Sequence, residues 1–265
     1  MRPTWILFST LLSAPATILA HGDSHAPDPD LHVDPRVKDC EVRFAPELTQ
    51  EAFHRFVREF GSVAAFKQMG PPTTLGRRGL SAGLEYMAFT VDDKSDAWND
   101  TFVHPDSTHE LGSDLAFPKL KLQFGITDHT DVSLFFTKNT SSNYGWLGLD
   151  MRHALLRQGP GMPVTLAVRG AYTKTLFVSD MDMHALTGGV SAGRVLWSRV
   201  TPYLGVGVDW IVARETASSV DLDPEWVSVG HALAGLQVAF WHVALGAEAQ
   251  MGTINSAQVQ LAAWY

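Results

Sequence analysis

From Gly79 to the last residue the chain alternates apolar and polar residues, and a period of two is the signature of strands with one greasy and one wet face. Thr201 to Ala213 shows it most clearly. Leu204, Val206, Val208, Trp210 and Val212 fall on one face, and Tyr203, Gly205, Gly207, Asp209 and Ala213 on the other. Leu120, Leu122, Phe124 and Ile126 alternate in the same way with Lys119, Lys121, Gln123 and Gly125. The pattern predicts about ten strands, near 79–91, 115–127, 130–138, 144–156, 163–175, 184–196, 202–213, 226–239, 241–252 and 255–265. Short links such as Asp128-His129 and Phe240-Trp241 alternate with longer polar ones such as Asp92 to Asp114 and Glu215 to Pro224.

Which face is buried decides the fold. A soluble sandwich turns its apolar residues inward and its polar residues to water. Here the polar face is rich in glycine and in charge of both signs, while the apolar face is nearly free of charge. An apolar band around a polar interior is what hydrocarbon demands, because every backbone group must pair within a closed sheet. The expectation is therefore an all-β, closed, antiparallel up-and-down transmembrane barrel over residues 79–265. A soluble exported β-sandwich that binds a ligand is the alternative.

Upstream the pattern changes. Leu48, Phe53, Phe56, Val57, Phe60 and Val63-Ala64 recur at spacings of three and four, with Thr49 as an N-cap and Gly70-Pro71-Pro72 as a stop. That spacing predicts one amphipathic helix over 49–69, within a helix-and-linker unit at 47–78. Docking at the periplasmic mouth is expected of it, since a lumen crowded with charge leaves little room for a helix about 10–12 Å across. Residues 21–46 are rich in His, Asp and Pro and read as a flexible leader. Residues 1–20 carry Arg2, an apolar run from Trp5 to Leu12 and a small residue at Ala20, the pattern of a cleaved secretory signal.

Composition removes several classes. With 20 basic against 28 acidic residues, and no basic run longer than Arg77-Arg78, there is no footprint for nucleic acid. The single Cys40 excludes a disulfide scaffold or a four-thiolate metal site. No cofactor is implied. His21, His25 and His32 lie among Asp23, Asp28, Asp30 and Asp34, ligand types that suit a transition metal, so the leader is a candidate metal-binding tail.

The last strand adds a more specific signal. Val259, Leu261, Ala263 and the terminal Tyr265 fall on the apolar face. This resembles the C-terminal strand of bacterial outer-membrane β-barrel proteins, whose closing aromatic is read by the assembly machinery; that family more often ends in Phe or Trp. The resemblance covers residues 79–265. It implies an outer-membrane location, contact with lipid and lipopolysaccharide, and passage through periplasmic chaperones and the barrel assembly machinery, but no chemistry. With Tyr265 in the periplasm, an even strand count puts the start of the first strand there too, beside the helix and leader, so both termini are expected to be periplasmic. Trp146, Trp197, Tyr203, Trp226, Trp241 and Tyr265, near strand ends, are expected to form interfacial girdles.

The lumen face carries Glu85, Asp150, Asp209 and Glu248 with Lys119, Lys121, Arg152 and Arg169. Acids and bases in so narrow an enclosure are expected to pair into a network; lining a narrow solute or ion path is the sharper alternative. The function expected is structural, surface-interacting or a narrow passage. An enzyme is the second class: His231, with Asp209 on the preceding strand and Glu248 on the following one, is the candidate centre of a rim-site hydrolase (protease or lipid-modifying). Ser228 is excluded from it because it falls on the opposite face. His104 and His109, among Asp106 and Glu110, read as solvated loop residues.

Overall fold

The computed structural model describes residues 31–265 other than 66, 68, 109 and 110. In chain order they form β1 (Glu41–Val42), α1 (Gln50–Ala64), β2 (Leu80–Thr90), α2 (Asp96–Asn99), β3 (Phe102–Val103), β4 (Asp114–Gly125), β5 (Thr130–Lys138), β6 (Gly145–Leu156), β7 (Thr165–Leu176), β8 (Met181–Gly193), β9 (Val200–Glu215), β10 (Glu225–Phe240), β11 (Val243–Met251) and β12 (Ser256–Trp264). The ten strands β2 and β4–β12 close into one barrel, each antiparallel to its neighbours in sequence order, and β12 returns to pair with β2. Closure removes every sheet edge. The signal segment, His21, His25, His109, Glu110 and Phe66 lie outside the described residues.

The polarity of the wall is inside-out. Leu120, Leu149, Leu186, Leu204, Val206, Leu245, Val259 and Leu261 are all more than half exposed on the outer face, while Lys119, Asp150, Asp209, Glu248 and Gln260 are buried on the inner one. A dry apolar nucleus of a sandwich is thereby excluded. Trp197, Trp226, Trp241 and Tyr265 stand exposed at strand ends as a girdle requires, but Trp146 and Tyr203 are buried in the lumen. Their parity explains the correction: Trp146 alternates in step with Asp150 and Arg152, and Tyr203 with Asp209.

At one end of the barrel the links are short, as in β4–β5 and β10–β11, and Leu80 and Tyr265 meet there through a pair of backbone hydrogen bonds of 3.0 and 2.8 Å. At the other end the long β2–β4 link carries α2 and β3. The described part of the leader, residues 31–46, and α1 sit at this loop end, across the barrel from Tyr265 rather than beside it. Val42 N donates to Asn143 Oδ1 (2.8 Å), Phe44 N to Asp180 Oδ2 (3.0 Å) and Asp34 N to the His104 carbonyl (2.8 Å), fastening residues of the leader to three loop-end links.

The helix fills the loop-end half of the lumen, which corrects the expected docking at the opposite mouth. The reason lies in the lining. Apart from Glu225 at the rim, which bonds His54 of the helix, the buried wall charge lies in the middle and turn-end half, whereas Met87, Phe89, Phe117, Trp146, Met183 and Ile211 line the loop-end half and join Phe53, Phe56 and Phe60 in one core. Phe60 lies 5.2 Å from the Tyr144 ring and 5.5 Å from Trp146, and Phe56 stacks on Phe60 at 4.9 Å. Gly61 allows the close approach: a Cβ there would fall 2.5 Å from Ile211 Cγ2.

Thr49 caps the helix by accepting from Ala52 N at 3.2 Å. It ends at Ala64, five residues before the expected end, because from Lys67 onward the described backbone bonds to the lumen wall instead of to itself. Lys121 Nζ donates to the Met69 carbonyl (2.9 Å), Gly70 N to Tyr203 Oη (3.1 Å), Arg152 to the Pro71 carbonyl (2.6 Å), and Leu75 N to Asp131 Oδ2 (2.9 Å). The described residues of 65–79 thus thread the barrel from its loop end to its turn end, where β2 begins.

Candidate functional site: the charged lumen

All eight charged residues expected on the lumen face are buried there. Two more join them, Lys67 from the threading segment and Asp131 from β5, so that five bases (Lys67, Lys119, Lys121, Arg152, Arg169) face five acids (Glu85, Asp131, Asp150, Asp209, Glu248) among the described residues. Sequence reasoning missed Lys67 because the helix was expected outside the lumen. Asp131, at the start of the expected strand 130–138, alternates in step with the buried Ser133 and Phe135 and so belongs to the lumen face as well.

Register builds the contacts. Glu85 stands between Lys119 on β4 and Gln260 on β12 in the pairing. Lys119 Nζ reaches its carboxylate at 2.6 Å, Gln260 donates to it at 2.7 Å, and Lys121 lies 3.8 Å away. Arg169 Nε bonds Asp150 at 2.6 Å. Glu248 accepts from Tyr203 Oη (2.9 Å) and from Gln258 (2.6 Å). A buried ion costs several kcal/mol unless it is paired and hydrogen-bonded, and these pairs supply that compensation while the bases also grip carbonyls of the threading segment.

The hydrolase candidates are only partly assembled. His231 Nδ1 lies 3.1 Å from Asp209 Oδ2, and Asp209 also accepts from Thr187 Oγ1 at 2.7 Å. Glu248 is engaged with Tyr203 and Gln258 instead. The imidazole lies over Gly207, where a Cβ would fall 2.5 Å from Nε2, so the nitrogen that would activate a nucleophile faces backbone. Among the described residues no hydroxyl or thiol is hydrogen-bonded to it, and Ser228 is exposed on the outer face. The pair orders the wall and lacks the nucleophile–base contact that acyl transfer requires.

At the loop end His32 offers its carbonyl to His104 N (2.8 Å), and among the described residues no cluster of three His, Cys, Asp or Glu is placed to hold a metal. His104 is buried, not solvated, and its Nδ1 lies 3.0 Å from Cys40 Sγ. Burial first, and the nearby Asp39 carboxylate second, push the Cys40 thiol up to about 12. Arg36 bonds the Asp34 carboxylate and holds it well below the usual carboxylate range.

A closed barrel with an apolar outside, a charged inside and a helix held in its lumen defines a membrane-spanning β-barrel with an internal plug. No family model and no curated protein matches the sequence. Solved structures that are similar include an outer membrane channel from Pseudomonas putida (8% identity, TM-score 0.46, covering 76% of this chain and 100% of that one). Others are the translocator domain of the autotransporter NalP from Neisseria meningitidis (9%, TM-score 0.40, 77% and 91%) and the attachment invasion locus protein Ail of Yersinia pestis (10%, TM-score 0.32, 71% and 99%).

Proposed function

We propose that the chain is an integral outer-membrane barrel, closed to passage by its own N-terminal segment, that presents the residues ahead of α1 and its loop-end links to the cell exterior. The plug carries this reading. Phe53, Phe56 and Phe60 are buried within the loop-end half of the lumen, and below them Met69, Pro71 and Leu75 are held by wall side chains. A solute path would have to break both layers. The exposed outer face supplies the contact with lipid and lipopolysaccharide, long links face outward as in other membrane barrels, and Val259, Leu261, Ala263 and Tyr265 are the segment read by the assembly machinery and its chaperones. The narrow-passage alternative is disfavoured by the plug, and the hydrolase by the missing nucleophile. Planar-bilayer recording on refolded, membrane-inserted full chain is expected to be silent. Steady conductance would overturn the reading.

A further inference from the structure

We infer that the turn-end half of the lumen is a binding site for a small oxyanion, a carboxylate or a phosphate group, entering from the side of the short turns. A cavity of about 320 Å³ lies there between the threading segment and the wall. Its charged lining is of one sign: Lys121, Arg152 and Arg199 contribute to it and no aspartate or glutamate does, while Gln123, Gln237 and Gln260 supply neutral amides. Arg199 and Ser198 are exposed in the β8–β9 turn, so the cavity reaches the turn-end surface.

Arg152 points most directly to a ligand. The residue is 3% exposed, and only Nη1 is occupied, by the carbonyls of Pro71 (2.6 Å) and Thr73 (3.4 Å). Nε and Nη2 are buried with no hydrogen-bond partner in the protein. Two carboxylates, Asp131 and Asp150, lie near Arg152 without hydrogen-bonding it. Asp150 is bonded to Arg169, the cation opposite, and Asp131 on the other side accepts from Leu75 N and Gln123 through Oδ2, leaves Oδ1 unbonded and does not line the cavity. A guanidinium edge with two adjacent N–H groups unmet is the geometry that takes a carboxylate or phosphate through paired hydrogen bonds. Buried N–H groups left without acceptors are costly, and an anion delivered to that edge removes the cost. The amide of Gln237, which also lines the cavity, is placed to donate to a remaining oxygen. The volume suits a small ligand at the lower end of ordinary binding cavities.

The test is calorimetric titration of the refolded full chain in detergent with inorganic phosphate and, separately, acetate, at ionic strength matched with chloride. Saturable binding with a dissociation constant at or below about 1 mM is expected for at least one of them, and which one saturates assigns the head group. Gln237→Glu, which adds a carboxylate to the cavity and leaves Arg152 in place, is expected to weaken binding at least tenfold. Arg152→Gln should abolish it, and Lys174→Gln on the outer face should leave it unchanged. Absence of saturation with both anions, or undiminished binding in a folded Gln237→Glu variant, would overturn the inference. Neither result depends on whether the barrel conducts.

Discussion

Glu85 is the most heavily used acid in the lumen, holding Lys119 and Gln260 with Lys121 close by. Glu85→Gln leaves Lys119 buried without its counter-charge and should destabilise the barrel by about 3 kcal/mol, read as a lower urea midpoint in detergent. Replacing the pair together, Glu85→Leu with Lys119→Met, should recover most of that loss. A double variant as weak as the single one would show that the pair holds more than itself. Cys40 makes a different prediction. Its thiol, raised from 9.0 to about 12 by burial, keeps its proton in the fold where an unfolded chain would lose it. Its contribution to stability is therefore complete below about pH 9 and is lost as pH rises towards 12. At pH 8 a maleimide should label folded protein far more slowly than unfolded protein, and equal rates would contradict the buried position.

The strands were legible in the sequence to within a few residues because a wall with lipid on one side and charge on the other imposes its period at every position. Thus β5 matches its expected span, and β10 extends the expected one by a residue at each end. The lumen charges were legible for the same reason. What the sequence hid was placement of everything that does not alternate. Nothing in Phe53, Phe56 and Phe60 distinguishes a greasy lumen from a greasy mouth until Met87, Phe117, Trp146 and Ile211 are seen to line the same end. The early end of α1 was hidden too, since its cause is a set of lysine and arginine side chains on distant strands. The fit of helix to wall is testable at Gly61. Gly61→Ala should cost about 1–3 kcal/mol from overpacking despite the better helix propensity of alanine, and Ile211→Val in the same chain should return part of it. A stabilised Gly61→Ala variant would mean that the helix does not press on β9. Phe60→Ala should cost about 3–5 kcal/mol by the same urea measurement, and a loss under 1 kcal/mol would remove the aromatic plug from the account.

Taken as one body, the molecule is a barrel with its own chain drawn through it. The segment from Leu31 to Ala64 lies at the loop end, the described residues of 65–79 cross the lumen, and the strands then return the chain to Tyr265 at the turn end. Greasy walls, paired lumen charge and an aromatic seal all follow from that one path: hydrocarbon orders the outside, and the threading backbone gives the inner lysines and arginines carbonyls to hold. The most direct test is cysteine labelling with a membrane-impermeant maleimide in intact Gram-negative cells, on a Cys40→Ser background, comparing Arg36→Cys at the loop end with Gly159→Cys in the β6–β7 turn. Arg36→Cys should be labelled on intact cells, and Gly159→Cys only after the outer membrane is opened. Labelling of Gly159→Cys on intact cells with Arg36→Cys protected, or labelling of both alike, would contradict a chain threaded from the cell surface to the periplasm.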